Sequence, residues 1–292
     1  MSYIVNNAII MAAGTSSRFA PLSYERPKAL IEVKGEILIE RQIRQLLEAG
    51  IPEIILVTGY MQEQFQYLKK KYGIKLVHNP DFLTRNNNSS LYAVRSELRN
   101  TYICSADNYF TYNPFEKVVE ESYYSAIYAN GNTKEWCLHE DQNGYIDQVQ
   151  IGGNNAWFML GHTFWSEVFS KQFVQILEKE YYLPETANKL WESIYMDHLD
   201  TLKMRIRKYP EDFIFEFDTL DELRSFDSSY IYNTRSAILK TVSNLLHCLE
   251  KDIVEVTSYK NTDNAAAGIR FRVEHSVYEY EYKTQDLRKI SL

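Results

Sequence analysis

Three cysteines are all the chain holds in 292 residues: Cys104, Cys137 and Cys248, far apart and without a Cys-x-x-Cys pair. That excludes a disulfide framework and gives no zinc signal. No apolar run reaches membrane-spanning length, and the N-terminus lacks the basic start, long apolar core and cleavage site of a secretory leader. A reducing cytoplasm is the expected compartment, with no membrane partner. Positive charge is not in excess either: 32 Lys and Arg stand against 39 Asp and Glu, a net charge of −7. Such a chain is not built to coat nucleic acid, although it can still form a local basic pocket. Nucleophile motifs are missing too. The six histidines are scattered, no Gly-x-Ser-x-Gly elbow occurs, and the hydroxyls of Ser17, Ser23, Ser89 and Ser90 have no evident base beside them.

What is present is an average globular composition, 45% hydrophobic and 24% charged, and a length that allows one large domain or a large one with a small appendage. The first half alternates strand and helix. The apolar run Asn7–Met11 is bounded by Ala-Ala-Gly, which reads as a buried strand ending in a tight turn. A helix follows with Ile39, Ile43, Leu46 and Leu47 at i, i+4, i+7 and i+8, closed by Gly50. Then come a strand at 53–59, a helix at 63–73, a strand at 74–79, a helix at 89–98 and a strand at 101–107. Four strands with helix-length crossovers predict an α/β fold, a doubly wound sheet whose ligands sit beyond the carboxyl ends of its strands. The loop 11–28 and Asp107 both fall at that edge.

From about residue 123 short strand-like runs take over, with Gln142-Asn143-Gly144 as a hairpin turn. A mixed or antiparallel extension carrying a substrate lid is expected over about 123–200. Helices near 165–180 and 186–199 lead to a last strand ending at Asp218. The reading is therefore a catalytic domain at 1–228 and a small α+β appendage at 229–292, a helix followed by strands.

The loop "MAAGTSSRFAPLSYERPKAL" (11–30) sets small residues between a strand and two cations. Small residues let a backbone approach phosphate oxygens. Arg18 can grip those oxygens in a forked geometry and Lys28 can act as a point charge. Asp107 and Asp218, each expected at a strand end, could hold a Mg²⁺ that bridges nucleotide phosphates. The alternative is that Asp107 caps the next turn and Asp218 caps the helix "DTLDELRSF". Nucleotidyl transfer needs little beyond positioning and charge neutralisation.

Segment 11–30 resembles the nucleotidyltransferase signature at Ala12, Ala13, Gly14, Arg18, Pro21, Leu22, Pro27 and Lys28; Ser16 stands where many members have a second glycine. The blocks "VTGYMQEQFQYLKKKYGIKLVHN", "RNNNSSLYAV", "ADNYF", "KEWCL" and "FEFDTLDELR", in that order, are similar to bacterial CTP:phosphocholine cytidylyltransferases over about residues 4–227. The resemblance implies a Rossmann-like doubly wound mixed sheet of the nucleotide-diphospho-sugar transferase type. It implies backbone contacts to the nucleotide at Ala12, Ala13 and Gly14, phosphates held by Arg18 and Lys28, cytosine near Asn87 and Ser90, and Mg²⁺ on Asp107 and Asp218. The reaction it implies joins CTP and phosphocholine, releasing pyrophosphate and giving CDP-choline.

A trimethylammonium cannot donate hydrogen bonds, so its site should be an aromatic box with a carboxylate near it. Trp136 beside Glu135 is the first candidate pair, Trp191 beside Glu192 the second, with Tyr182 as a further ring. Any one of these rings could equally be core or lid packing. The segment "QIGGNNAW" (150–157) could contact sugar hydroxyls, which keeps a sugar-1-phosphate acceptor open, alongside 2-aminoethylphosphonate. A non-catalytic nucleotide-binding protein is the rival from another class, and it would have lost the four charged residues that this chain keeps. The C-terminal "ILKTVSNLLHCLEKDIVEVTSYKN" resembles the opening of a choline-kinase-type N-lobe. With "KNTDNAAAGIRF" where a phosphate loop should stand, it reads as a remnant or docking element without kinase activity. Equally, it is a small sheet that shields an edge or mediates homodimer contacts.

Overall fold

The computed structural model describes residues 2–260 and 266–290. Residues 261–265, in the segment singled out by the kinase resemblance, lie outside the described residues. The chain divides into two compact units, one of Met1–Gly14 and Leu38–Glu216, the other of Thr15–Ile37 and Phe217–Leu292.

The first unit is built on a seven-stranded mixed sheet. Its strands are β1 (Asn7–Ala12), β2 (Ile54–Thr58), β3 (Lys75–His78), β4 (Thr101–Ser105), β5 (Tyr123–Glu140), β6 (Ile146–Trp165) and β7 (Arg205–Tyr209), in the order β7-β5-β6-β4-β1-β2-β3. The pairs β1–β2, β1–β4 and β2–β3 are parallel, whereas β6 runs antiparallel to both β4 and β5. Parallel strands covered on both faces need near-continuous apolar sequence. Ala8, Ile9 and Ile10 of β1 and Ile55, Leu56 and Val57 of β2 are completely buried. The buried Asn7 at the start of β1 is satisfied: it accepts from the Thr101 hydroxyl at 2.6 Å and donates to the Glu97 carbonyl at 2.8 Å.

Helices α1 (Leu38–Glu48), α2 (Gln66–Tyr72) and α3 (Asn88–Ala93) supply the crossovers. Leu91, Val94 and Leu98 point inward as the spacing predicts, but the helical stretch expected at 89–98 breaks into α3 and a 3₁₀ turn at Arg95–Glu97. Leu47 also departs from expectation. One position beyond Leu46, it turns about 100° off the buried stripe and stands 43% exposed.

The four strand-like runs after residue 123 join into just two long strands, β5 and β6, paired with several register shifts. Bulges absorb the mismatch between runs, so no loop is needed to separate them. The turn 141–145 places Gly144 at φ +79°, the left-handed geometry expected for that glycine. Helices α4 (Glu167–Glu180) and α5 (Trp191–Asp197) follow. The expected final strand is a separate short ladder, Ile214–Glu216 against Asn108–Phe110, and it stops two residues before Asp218.

The second unit gathers the turns of segment 15–37, helices α6 (Leu220–Phe226) and α7 (Ala237–Leu246), and a four-stranded antiparallel sheet, β8 (Ile253–Lys260), β9 (Ala266–Val273), β10 (Ser276–Glu281) and β11 (Leu287–Ile290). The three cysteines are free. Among the described residues no helix is long and apolar enough to cross a membrane.

Candidate active site

In the first unit the strand order β3-β2-β1-β4 makes a topological switch point between β1 and β4, where chains leave a parallel sheet in opposite directions and open a crevice. Met11 lies opposite Ser105, and the Ala106 amide donates to the Met11 carbonyl at 3.2 Å. Ala12, Ala13 and Gly14 therefore leave the same sheet edge as Asp107, from the neighbouring strand. The turn is held from the other side by the Tyr60 amide, which donates to the Ala13 carbonyl at 3.0 Å. That approach requires Gly59, since a Cβ there would sit 2.8 Å from the Ala13 oxygen and 2.6 Å from Phe82. At Gly14, by contrast, nothing lies within 4 Å of a Cβ position. The backbone there faces open space.

The second unit brings three of the four candidate charges together. Arg18 Nη1 lies 2.6 Å from Asp218 Oδ2, and Lys28 Nζ 3.6 Å from Asp218 Oδ1. The Lys28 side chain is only 5% exposed, that of Arg18 74%. The capping alternative for Asp218 does not hold. Helix α6 is capped by Thr219, whose hydroxyl accepts from the Glu222 amide at 3.2 Å while the Glu222 carboxylate accepts from the Thr219 and Asp218 amides. This capping box frees the Asp218 side chain to face the two cations. Ser16, where many relatives of the signature have glycine, adopts φ 48° and ψ 46°. The loop keeps the left-handed geometry with a serine, at a strain of roughly 1–2 kcal/mol.

Back in the first unit, Asn87 and Glu192, drawn from the proposed base and acceptor sets, are hydrogen-bonded to each other: Asn87 Nδ2 donates to Glu192 Oε2 at 3.1 Å. Asn87 Oδ1 accepts from the Trp191 amide at 2.7 Å, which fixes the start of α5. The Tyr124 hydroxyl donates to Glu192 Oε1 at 3.4 Å, and its ring stacks on Trp191 with centroids 5.8 Å apart. Glu192 is set deep yet keeps some solvent access, and burial pushes its carboxyl up to about 7 against the opposing hydrogen bonds. No cationic side chain pairs with it among the described residues. Burial likewise raises the Tyr124 hydroxyl, with the Glu192 and Glu216 carboxylates adding to the effect.

The remaining candidates are more dispersed. Trp191 is 1% exposed, its indole packed on Trp165 and Phe173. Ser90 is buried and its hydroxyl accepts from Asn79 at 3.2 Å. Trp136 is half-buried against the core cluster that contains Trp191, and Glu135 beside it is exposed. Tyr182 is 78% exposed, and its ring and hydroxyl contacts run to Tyr92 and Tyr181. Sequence reasoning missed Tyr124 and Glu216. The signal was available for Tyr124, a ring in the run "YYSAIY", but nothing local shows which of its three tyrosines faces Glu192.

Comparison with known proteins identifies the family. A family model described as the MobA-like NTP transferase domain matches residues 8–146. The chain is 34% identical over 220 residues to the choline-phosphate cytidylyltransferase of Streptococcus pneumoniae, covering 75% of this chain and 96% of that protein. It is 35% identical over 234 residues to the 2-aminoethylphosphonate cytidylyltransferase of Lancefieldella rimae, covering 79% and 95%. The solved structure of the CTP:phosphocholine cytidylyltransferase from Streptococcus pneumoniae superposes with a TM-score of 0.74 at 34% identity, over 78% of this chain and 99% of that one. With near-complete coverage of relatives above 30% identity, and with the switch-point sheet that such an enzyme requires, the chain belongs to the family of cytidylyltransferases, enzymes of nucleotidyl transfer.

Proposed function

We propose that the chain transfers CMP from CTP to phosphocholine, releasing pyrophosphate and giving CDP-choline. The observation that carries the choice of acceptor is Glu192. In its ionised form, a deep carboxylate with no cationic partner among the described residues is unfavourable unless something positive comes to it. A quaternary ammonium beside the ring of Tyr124 supplies that charge without needing hydrogen-bond acceptors. Trp136 and Glu135 are proposed as the outer part of the same acceptor region, with Trp191 as the packing behind Glu192. Tyr182 is left as a surface ring on Tyr92. Catalysis is assigned to residues 1–228, with 229–292 as an appendage that shares a compact unit with segment 15–37. The second acceptor reading is 2-aminoethylphosphonate, which a specific feature favours: Glu216 is a second carboxylate acting on Tyr124.

Residues 12–14 present backbone to the nucleotide, Arg18 and Lys28 hold phosphate oxygens, and the acceptor phosphate attacks the α-phosphorus of CTP in line with departing pyrophosphate. Asp107 and Asp218 suit a hard divalent cation such as Mg²⁺, because their donors are all carboxylate oxygens. Among the described residues no group of three or more His, Cys, Asp or Glu could hold a metal by itself. The remaining ligands of such an ion would be phosphate and water. When bound, such an ion neutralises charge on the triphosphate.

The test is pyrophosphate release from CTP and Mg²⁺ with phosphocholine, 2-aminoethylphosphonate and glucose-1-phosphate as parallel acceptors. Phosphocholine is expected to be used best; a clear preference for either rival removes the acceptor reading and keeps the transfer. Glu192 also predicts a pH dependence. Its carboxyl is neutral below about 7 and charged above, so the KM for phosphocholine falls as pH rises through 7. Below that value KM climbs by up to about tenfold per pH unit. Glu192→Gln cannot ionise and should keep only the dependence due to the acceptor's own phosphate. Superimposable pH profiles for wild type and variant would remove Glu192 from the acceptor site.

A further inference from the structure

We propose that the C-terminal appendage positions the phosphate-gripping segment of the nucleotide site, acting through Glu25. This rests on the transfer reading above and extends it to residues 229–292, for which the resemblance to the cytidylyltransferases offers no role.

Segment 15–37, which carries Arg18 and Lys28, forms one compact unit with the appendage. Between those two cations stands Glu25, at the end of the single helical turn Leu22–Glu25. Its Oε1 accepts from the Ile238 amide at 2.8 Å and from the Ser236 hydroxyl at 3.2 Å. These are the opening residues of α7, whose first turn carries no acidic residue of its own. A helix start leaves its first amides without partners and favours negative charge nearby. Ser236 satisfies the Leu239 amide at 3.0 Å, and Glu25 satisfies Ile238 from a segment more than two hundred residues earlier. The cap of α7 is thus shared, and the share that Glu25 holds ties down the backbone between Arg18 and Lys28, three residues before the lysine.

Three further contacts repeat the pattern. Tyr24, next to Glu25, stacks on Tyr282 with ring centroids 4.0 Å apart. The Tyr230 hydroxyl donates to the Glu32 carbonyl at 2.6 Å, and Arg235 pairs with the Glu32 carboxylate at 3.6 Å. Glu25 touches neither substrate nor metal in this reading; it is a positioning residue. Arg18 is 74% exposed on its side chain, so its aim depends on how firmly the backbone beneath it is held.

The experiment uses the full chain and the variants Glu25→Ala, Glu25→Gln and Tyr282→Ala. CTP affinity is measured by calorimetry without acceptor, then the KM values for CTP and phosphocholine, with Tm alongside. Glu25→Ala should weaken CTP binding by about tenfold, the loss expected of a removed helix cap, and Tyr282→Ala, which removes the ring stacked on Tyr24, should weaken it in the same direction, both leaving the KM for phosphocholine within twofold. Glu25→Gln, whose amide oxygen accepts from the same two donors, should stay within threefold of wild type in both. CTP binding unchanged in Glu25→Ala overturns the proposal. So does a parallel rise of both KM values with a drop in Tm, the mark of a plain structural strut. A wild-type protein that does not bind CTP would overturn the transfer reading itself, which the wild-type calorimetry shows separately from any variant.

Discussion

Asp107→Asn should lower turnover by about a thousandfold or more while the chain stays folded. The carboxylate sits half-buried in the turn after β4, at the switch point, on the edge from which Ala12–Gly14 also emerge. An apolar strand has no packing use for an acid at its end, and the turn that follows tolerates asparagine as readily as aspartate. The substitution keeps size, shape and one carbonyl oxygen, and removes only the charge. In the proposed reaction that charge holds a divalent cation against the triphosphate, worth several kcal/mol of transition-state stabilisation. A loss of ~4 kcal/mol corresponds to three factors of ten in rate. The measurement is pyrophosphate release at saturating CTP and phosphocholine across a Mg²⁺ titration, with Tm as the check on folding. A variant that stays within tenfold of wild type at every Mg²⁺ concentration rules out Asp107 as the metal ligand.

The parts of this molecule that the sequence made legible are those where one local rule decides. Buried parallel strands announce themselves as apolar runs, and β1, β2 and β4 stand where those runs are. The turn at Gly144 was legible because hairpin turns need a residue at positive φ. The joining of four short runs into β5 and β6 was not, because bulges leave no compositional mark and depend on the partner strand. The role of Asp218 was ambiguous for a definite reason. Asp218 and Thr219 are both good cap residues, and only the Glu222 carboxylate, folding back onto the Thr219 amide, decides between them. Ser16 reverses the lesson, since a residue that argues against left-handed backbone adopts it because the surrounding loop fixes it. Least legible of all were contacts between distant segments, Asn87 with Glu192 and Glu25 with Ile238, which no periodicity encodes.

Lys28→Met separates stability from function at the one buried cation of the site. The Lys28 ammonium is 5% exposed, 3.6 Å from Asp218 and 5.6 Å from the Phe19 ring centroid, with Ala29 and Leu30 buried next to it. Taking an ammonium out of water costs several kcal/mol, and a nearby carboxylate returns that only when the geometry is good. Asp218, at 3.6 Å from the ammonium, is shared with Arg18, which lies closer at 2.6 Å. A methionine of similar length would fill the same space without the desolvation cost, so Tm should hold or rise. In the proposed reaction the Lys28 charge serves the triphosphate rather than the fold. Turnover should therefore fall by about 10²–10³-fold, the usual effect of removing one preorganised charge from a developing anion. Pyrophosphate release and thermal unfolding on the same preparation settle both halves. Turnover within tenfold of wild type would falsify the phosphate role of Lys28, and a Tm several degrees lower would show that the ion pair holds the loop rather than the nucleotide.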